Sequence, residues 1–322
     1  MKILVIGLGQ DAILMAKLLK KNGTDFRIMA RRSSGIVSKF HSGNIEKDFL
    51  IPVSEVTTLN LIKLKKTYDF THIFNFAANS FVQDSATHYS LFIKQNSEIL
   101  WSILDFMKLY EDVWLFHPLS SEILFRSPSL KLGITGCIQP LNAYGLAKTA
   151  EHFSCEINRR LQLGRIHSCV LFNHESKHRP PQFFTRKAIT FFQEPKQKSE
   201  LTIYNAKSQR DWGSAEEYMK FLFESAERED NDLTVLGTGE ALTVEAFIDN
   251  CFALSGIEFE KREIDHLLQW RSSKLTVTEL HRDPQDSKRK VVADKQLVRS
   301  KFLKVPQIHG VLLIKKLLNG EL

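Results

Sequence analysis

The sequence predicts an α/β fold with a doubly wound parallel sheet and a smaller, interleaved C-terminal lobe. Three observations support this prediction. Over the first half of the chain, short apolar runs alternate with longer segments of helix-period apolar spacing. Strands separated by helices of this length imply right-handed crossovers and a parallel sheet covered on both faces. A glycine turn follows the first apolar run, and the alternation ends after Phe172.

The predicted elements follow one another in order along the chain. The strands are expected at Ile3–Ile6, Phe26–Met29, Phe49–Val53, Ile73–Phe76, Val113–Phe116 and Cys169–Phe172. The longer helical patterns fall at Ile13–Leu19, Tyr89–Leu109 and Ala143–Leu161. After these, Pro180–Pro181 and the charged stretch Arg262–Lys290 predict loops and short elements, and one strand–helix unit returns at Asp232–Gly256. We therefore expect a first domain at 1–172, with 213–256 packing back onto it, and a second lobe at 173–212 and 257–322.

Length and cysteine usage limit the class of protein. A chain of 322 residues can bury a large core as one two-lobed unit or two domains. No apolar run approaches the roughly 18 residues of a membrane span, and the N-terminus lacks the pattern of a signal peptide. The four cysteines form no C-x-x-C pair, which favours buried thiols in a reducing cytoplasm over disulfides or a zinc site.

The charge balance favours a small anionic partner. The net charge is +7 and the pI is about 9.1, so an anionic ligand is expected. The basic residues are dispersed in short clusters, without the aromatic interleaving and the single basic stripe typical of nucleic-acid binders. Small phosphorylated ligands are therefore favoured over nucleic acid, and no membrane partner is expected.

The first strand and helix enclose a predicted dinucleotide-binding turn. The stretch MKILVIGLGQDAILMAKLLKKNG contains Gly7-x-Gly9-x-x-Ala12. Two glycines allow a tight turn and close approach to a pyrophosphate, and the third small residue lets helix and strand pack closely. The anion is expected at the helix N-terminus, where unpaired N–H groups and the helix dipole favour it.

The end of the second strand indicates which dinucleotide binds. An acidic residue here would bind the ribose 2′-hydroxyl of NAD, but this chain has Arg31 and Arg32, followed by Ser33 and Ser34. Guanidinium groups match the geometry of phosphate. The sequence therefore predicts NADP as the cofactor, with two arginines on a solvated loop as the alternative.

The stretch NAYGLAK supplies the predicted catalytic pair. Tyr144 and Lys148 are four residues apart, so both side chains lie on one face of a helix. A lysine ammonium beside a phenol favours the phenolate, and we expect it to lower the pKa of Tyr144 toward working pH. Such a tyrosine can take a proton from a sugar hydroxyl while hydride leaves for nicotinamide.

These and further stretches resemble extended short-chain dehydrogenases/reductases, and most closely the GDP-mannose 4,6-dehydratase family. The similarity spans roughly residues 1 to 260. It is carried by GQD (Gly9–Asp11), RRSS (Arg31–Ser34), NFAANSFV (Asn75–Val82), SSE (Ser120–Glu122), YGLAK (Tyr144–Lys148), LFNHES (Leu171–Ser176), FFTRK (Phe183–Lys187), RDWG (Arg210–Gly213) and TGE (Thr238–Glu240).

The resemblance implies a Rossmann-like fold and assigns roles to individual residues. Four side chains would be catalytic: Ser120, Glu122, Tyr144 and Lys148. Besides the glycines and the RRSS stretch, NADP would contact Gln10, Asp11, Glu55, Ala78, Ser80, Lys148, His174 and Arg179. The nucleotide diphosphate of a sugar would be held by Asn173, Lys187 and Arg210.

The reaction that the resemblance implies is redox-neutral. Tyr144 would accept the C4 hydroxyl proton as hydride passes to NADP⁺, and Ser120 would hydrogen-bond to the C4 oxygen. Glu122 would then remove the C5 proton before water leaves from C6. Glu122 follows the Val113–Phe116 strand, and the carboxyl ends of parallel strands face the active-site crevice. A nucleotide-sugar 4-reductase, 4-dehydrogenase or epimerase needs no such carboxylate.

The sequence therefore predicts an NADP-dependent lyase of nucleotide-sugar metabolism and polysaccharide biosynthesis. Its substrate would be a GDP-hexose similar to GDP-mannose, and its product the 4-keto-6-deoxy sugar. The chain is expected to form a homodimer or a higher homo-oligomer. A reductase, dehydrogenase or epimerase on the same scaffold is one alternative, and a cofactor-binding regulator or scaffold without catalytic activity is another.

Overall fold

A computed structural model describes residues 1–32, 47–80, 89–124, 138–195, 199–283, 290–302 and 304–322. They form two compact units. The first contains the described parts of 1–125, 138–171 and 215–236, and the second contains those of 172–214 and 237–322. Among the described residues, no helix is both long enough and apolar enough to cross a membrane.

The described elements are numbered in chain order. The strands are β1 (Lys2–Ile6), β2 (Asp25–Arg31), β3 (Leu50–Val53), β4 (His72–Asn75), β5 (Trp114–Ser120), β6 (Arg165–Leu171), β7 (Asn173–Glu175), β8 (Ser199–Tyr204), β9 (Gln209–Ser214), β10 (Leu233–Leu236), β11 (Ala241–Thr243), β12 (Glu260–Ile264), β13 (Leu267–Arg271), β14 (Leu275–His281) and β15 (Lys290–Val291). The helices are α1 (Gln10–Lys21), α2 (Thr58–Thr67), α3 (Tyr89–Met107), α4 (Ala143–Arg160), α5 (Phe184–Gln193), α6 (Ala215–Glu227), α7 (Val244–Leu254), α8 (Lys295–Phe302) and α9 (Gly310–Leu318).

The first unit is built on a seven-stranded parallel sheet, so the predicted doubly wound fold is confirmed. The strand order is β10-β6-β5-β4-β1-β2-β3. Residues Ile3–Ile6 of β1 are fully buried, which means that both faces of the sheet are covered. On one face, α2, α3 and α4 share an apolar core with the central strands. The order reverses between β1 and β4, and ligands of such sheets bind at the carboxyl ends of the strands beside this point.

The second unit contains two smaller sheets. In one, β9 pairs with β7, β11 and β15, and in the other the order is β12-β13-β14-β8. The prediction of loops and short elements for Arg262–Lys290 was therefore wrong over β12, β13 and β14. Trp270 and Val277 belong to the core of this unit while the positions on either side of each are partly or fully exposed, so an alternating pattern lies within the charged stretch.

The boundary of the two units also differs from the predicted domains. The sequence placed 213–256 with the first domain. In the structure 215–236 belong to the first unit, whereas β11 and α7 belong to the second. The reason is apolar packing, because Phe247 and Phe252 of α7 join the core of the second unit with Trp270.

Acidification is expected to destabilise the first unit through buried histidines. His72 of β4 and His167 of β6 flank the Phe116 ring, at centroid distances of 6.0 and 5.6 Å. Burial lowers the pKa of both imidazoles from 6.5 to about 4. Between these values the unfolded chain binds protons that the folded chain does not, so stability is lost as pH falls through this window.

The effect of His167 alone is on the order of 2 kcal/mol between pH 7 and pH 5, and His72 adds to it in the same direction. Urea unfolding at the two pH values measures it. His167→Asn should show a clearly smaller loss of stability on acidification than the parent protein. Equal losses in the two proteins would contradict this explanation.

Candidate active site

The turn between β1 and α1 fits the phosphates of a dinucleotide. Gly7 has φ +110°, and a Cβ there would lie 2.9 Å from the amide nitrogen of Ala77, so this position requires glycine. Gly9 precedes α1 as its N-cap residue. Apart from Gly9 itself, its neighbours in the chain and the adjoining helix backbone, no atom of the described residues lies within 4 Å of the point where a Gly9 Cβ would stand. A phosphate can therefore approach the N-terminus of α1 closely.

The other predicted cofactor ligands of this unit follow the carboxyl ends of neighbouring strands. Gln10 and Asp11 begin α1, and the Gln10 side-chain amide donates to Asp11 Oδ1 at 3.2 Å. Ser33 and Ser34 lie outside the described residues. The remaining residues predicted to contact the cofactor are Arg31 and Arg32 at the end of β2, Glu55 after β3, and Ala78 and Ser80 after β4.

Tyr144, Ser120 and Lys148 come together, as predicted for a catalytic group. Tyr144 lies in the first turn of α4, where its hydroxyl hydrogen-bonds with the side chain of Ser120, the last residue of β5. Its ring packs edge-on against Phe92 of α3, with centroids 6.4 Å apart. Lys148 lies one helical turn further along α4 and is buried.

The predicted direction of the Tyr144 pKa was wrong. Burial raises the pKa of Tyr144 above its ordinary value, and the nearby Glu151 and Glu122 carboxylates act in the same direction. The Lys148 ammonium and the hydrogen bond with Ser120 lower it, but they do not outweigh burial. The sequence revealed Lys148 and Glu122, but neither the desolvation of Tyr144 nor the Glu151 carboxylate.

Glu122 lies in the same site and is held by a residue that sequence reasoning missed. The carboxylate is half-buried, and Asn142 donates to Glu122 Oε2 through Nδ2 at 2.9 Å. Asn142 is also the N-cap of α4, where its Oδ1 accepts from the Gly145 amide at 2.7 Å. A Cβ on Gly145 would lie 2.6 Å from the Glu122 carbonyl oxygen, so this glycine lets α4 begin directly against the Glu122 turn. The available signal was an asparagine two residues before Tyr144, the predicted catalytic tyrosine.

A second set of missed residues lies behind Lys148. Lys148 Nζ donates to Glu151 Oε2 at 2.7 Å and to the Pro118 carbonyl at 3.1 Å. The same Glu151 oxygen is 2.8 Å from His117 Nε2, and His117 Nδ1 is 3.2 Å from Asn75 Nδ2. Burial opposes the Lys148 charge, but attraction to Glu151 and Tyr144 raises its pKa above the ordinary value.

In the second unit, Asn173 and His174 lie on β7 and Arg210 lies on β9. The parallel pairing sets Asn173 opposite Trp212, so the backbone register puts Asn173 and Arg210 on one face of this sheet. His174 is buried, and its Nδ1 is 2.7 Å from the Phe172 carbonyl, to which it donates. The Arg210 guanidinium donates to the Gln209 carbonyl at 3.0 Å. Their ligands remain predictions.

Arg179 has partners within its own unit. Its Nε is 3.4 Å from Glu175 Oε2, and its guanidinium lies 3.9 Å from the centre of the Phe183 ring. Thr185 also donates to Glu175, at 2.6 Å. Lys187 of α5 is exposed. Contact of Arg179 with NADP and of Lys187 with a nucleotide sugar stays a prediction.

The RDWG and TGE stretches meet in a structural contact. Asp211 is fully buried and accepts hydrogen bonds from the amides of Thr238, Gly239 and Ala293 and from the Thr238 hydroxyl. Burial raises the pKa of Asp211 despite these bonds. This carboxylate ties β9 to the turn before β11 and to the segment after β15.

The fold and the Ser120–Tyr144–Lys148 group define an extended short-chain dehydrogenase/reductase. Solved structures of this class match the whole fold. The dTDP-glucose 4,6-dehydratase from Bacillus anthracis, in complex with NAD, has a TM-score of 0.78 and 14% identity, over 100% of this chain and 96% of that one. UDP-glucose 4-epimerase from Thermotoga maritima, with UDP-glucose, has a TM-score of 0.80 and 15% identity, over 100% and 98%.

Sequence comparison defines the family. The family model described as GDP-mannose 4,6 dehydratase matches residues 4–304, and the chain therefore belongs to this family of nucleotide-sugar lyases. The GDP-mannose 4,6-dehydratase of Yersinia enterocolitica is 27% identical over 278 residues, covering 80% of this chain and 73% of that protein. The human GDP-mannose 4,6 dehydratase is 25% identical over 269 residues, covering 76% and 69%.

Proposed function

We propose that the protein is an NADP-dependent 4,6-dehydratase that converts a GDP-hexose similar to GDP-mannose into the 4-keto-6-deoxy sugar and water. The observation that supports this most is the Glu122 carboxylate. It is half-buried, is held by Asn142 at 2.9 Å, and lies close enough to Tyr144 to influence its pKa. Family membership supports the same reaction.

The first half of the reaction uses the Tyr144 group. Tyr144 takes the proton of the C4 hydroxyl, and the Ser120 hydroxyl hydrogen-bonds to the C4 oxygen. Lys148 stabilises the phenolate that accepts this proton, since its ammonium favours the charged form of Tyr144. The chemistry that NADP⁺ would supply when bound is that of a reversible acceptor for the C4 hydride, which would be given back to C6 at the end.

The second half of the reaction uses Glu122. A ketone at C4 makes the C5 proton acidic, and Glu122 removes it as the base. The same carboxyl group then gives this proton to the C6 hydroxyl, which leaves as water. With hydride returned to C6, the proton held on Tyr144 completes C5, so atoms and electrons balance. Asn142 fixes the carboxylate for both transfers through its hydrogen bond.

The dehydratase is favoured over a reductase, dehydrogenase or epimerase because only elimination needs a second acid–base group. To test this, the purified protein is incubated with GDP-mannose and NADP⁺ and the products are analysed by mass spectrometry. The expected result is a nucleotide sugar lighter by one water, with no accumulation of NADPH. If no GDP-hexose that is tested loses water, the proposal is refuted.

We propose NADP rather than NAD because Arg31 and Arg32 end β2, and both are exposed at the adenosine side of the predicted site. The loss of one guanidinium–phosphate contact costs about tenfold in affinity or more. Arg31→Ala should therefore weaken NADPH binding by at least about tenfold and change NADH binding little. Fluorescence titration with NADPH and with NADH tests this prediction. Equal losses of affinity for the two coenzymes would contradict it.

We propose that the nucleotide diphosphate is held by Asn173, Lys187 and Arg210, as the resemblance implies, and that NADP also contacts His174 and Arg179. The positive net charge suits two ligands with several phosphates between them. A reducing, cytoplasmic compartment is also proposed, and the buried free thiols Cys155, Cys169 and Cys251 support it.

We propose a homodimer or higher homo-oligomer formed through α3 and α4. Trp101, Phe153, Ile157 and Leu161 are between 45% and 61% exposed, and the last three are spaced four apart along α4. Trp101 Nε1 donates to Ser154 at 3.2 Å, which links the two helices. An apolar stripe of this kind is typical of an interface between copies of a chain. Light scattering should give a molar mass of at least two chains, and a monomer would contradict it.

A further inference from the structure

A continuous chain of buried polar side chains extends from the glycine turn to the catalytic lysine. The Ala77 amide, next to Gly7, donates to Asn75 Oδ1 at 3.3 Å. Asn75 contacts His117 at 3.2 Å, His117 contacts Glu151 at 2.8 Å, and Glu151 contacts Lys148 at 2.7 Å. Asn75, His117, Glu151 and Lys148 are each no more than 3% exposed.

The partners at each end fix the proton on His117. The Asn75 amide oxygen accepts from the Ala77 amide, so its Nδ2 is the atom that donates to His117 Nδ1. His117 Nδ1 is therefore an acceptor, and the proton is on Nε2, from which it donates to Glu151 Oε2. A second proton on His117 Nδ1 would point at the Asn75 Nδ2 group, which is itself a donor, so the hydrogen bond between them would be lost. His117 is thus a neutral, oriented donor to the carboxylate.

The Glu151 carboxylate is the group that makes a charged Lys148 tolerable. An ammonium buried in this way loses its hydration, and a buried lysine without a counter-charge becomes neutral near physiological pH. Lys148 faces one carboxylate oxygen and the Pro118 carbonyl. Because Glu151 also opposes ionisation of Tyr144, it does not acidify the tyrosine. Any favourable effect of Glu151 on the phenolate form of Tyr144 therefore operates through the Lys148 ammonium, against its own direct repulsion of that charge.

We propose that Glu151, oriented by His117 and Asn75, is a positioning residue that keeps the Lys148 ammonium charged and fixed in place below Tyr144. The inference rests on the proposed roles of Tyr144 and Lys148, and assigns to this reaction three residues outside the Ser120–Tyr144–Lys148 group. Glu151 and His117 act through Lys148 and touch neither substrate nor cofactor.

The test compares the parent protein with Glu151→Gln across pH 7 to 9.5. The glutamine keeps the shape of the side chain but removes its charge, so Lys148 should lose its proton within this range. Lys148 is a proposed cofactor ligand, so loss of its charge should weaken NADPH binding. Between pH 7 and pH 9.5, the Kd for NADPH, measured by fluorescence, should increase by a factor about ten times larger in the variant than in the parent. With GDP-mannose, kcat of the variant should fall at alkaline pH where the parent remains active.

A pair of variants at position 117 tests the His117 link and serves if Glu151→Gln does not fold. His117→Gln can place its amide nitrogen near the Nε2 position, so its NADPH affinity should depend on pH much as that of the parent does. His117→Leu removes the hydrogen-bond donor to Glu151, so the pH dependence of its NADPH affinity should shift toward that of Glu151→Gln. NADPH affinities that follow the parent at every pH in both Glu151→Gln and His117→Leu would overturn the inference.

Failure of this inference is distinguishable from failure of the proposed function. NADPH binding needs no nucleotide sugar, so its pH dependence reports on Glu151 even if no water is eliminated. A shifted binding profile without water loss would support the role of Glu151 and reject the dehydratase. Water loss with an unshifted binding profile would support the dehydratase and reject the role of Glu151.

Discussion

Replacing Tyr144 with phenylalanine is expected to lower kcat by about 10² to 10⁴-fold, the usual contribution of a positioned acid–base group. The variant keeps the ring that packs against Phe92 and removes only the hydroxyl that bonds with Ser120. In the proposed mechanism this hydroxyl takes the C4 proton in the first step and holds it until the end, so neither oxidation nor elimination should proceed at a useful rate. Steady-state kinetics with GDP-mannose measures the loss.

Ser120→Ala is the matched control for Tyr144→Phe. It removes a hydrogen bond to Tyr144 but no acid–base group, and should cost only about tenfold. Both variants should bind NADPH as the parent does, which shows that the fold is retained. A Tyr144→Phe protein with more than a tenth of the parent kcat would contradict the role given to this residue.

Replacing Glu122 with glutamine is expected to separate the two halves of the reaction. The side-chain oxygen of the introduced glutamine can still accept from Asn142, so the local structure should survive, but the proposed base for the C5 proton is lost. Elimination should slow by about 10² to 10⁴-fold. The C4 oxidation should persist, because Tyr144, Ser120 and Lys148 are unchanged. A single turnover should then show reduced nicotinamide that is not reoxidised.

Asn142→Ala is the control for this experiment. It leaves the carboxylate in place and removes the donor that orients it and caps α4, so a partial loss of elimination and of stability is expected. A Glu122→Gln protein that releases the dehydrated sugar at the parent rate would exclude Glu122 as the base.

The parallel sheet could be predicted because its strands are buried on both faces. Runs such as Ile3–Ile6 are apolar throughout, and their order with the helices fixes the architecture. The meander of β12 to β14 could not be predicted as easily. All five residues of β12 are exposed and four of them are charged, and the core-facing residues of β13 and β14 alternate with polar ones within a charged stretch.

The site was predictable where chemistry depends on residue type and spacing. Tyr144 and Lys148 followed from their spacing, Ser120 and Glu122 followed from the family resemblance, and the structure groups all four in one unit. Glu151 and His117 were missed, because residues on α4 and β5 become partners only through packing. The direction of the Tyr144 pKa was missed for the same reason, since desolvation has no signature in spacing.

Transfer of a label within one sugar tests the proposed dehydratase most directly. GDP-mannose carrying deuterium at C4 is incubated with the protein and unlabelled NADP⁺, and the product is analysed by NMR. The proposed mechanism predicts a 4-keto-6-deoxy sugar with that deuterium at C6. The reason is that the hydride leaves C4 and is added to C6 of the same sugar after Glu122 has catalysed the loss of water. Deuterium found at C4 of an intact hexose, or left on the nicotinamide, would contradict it.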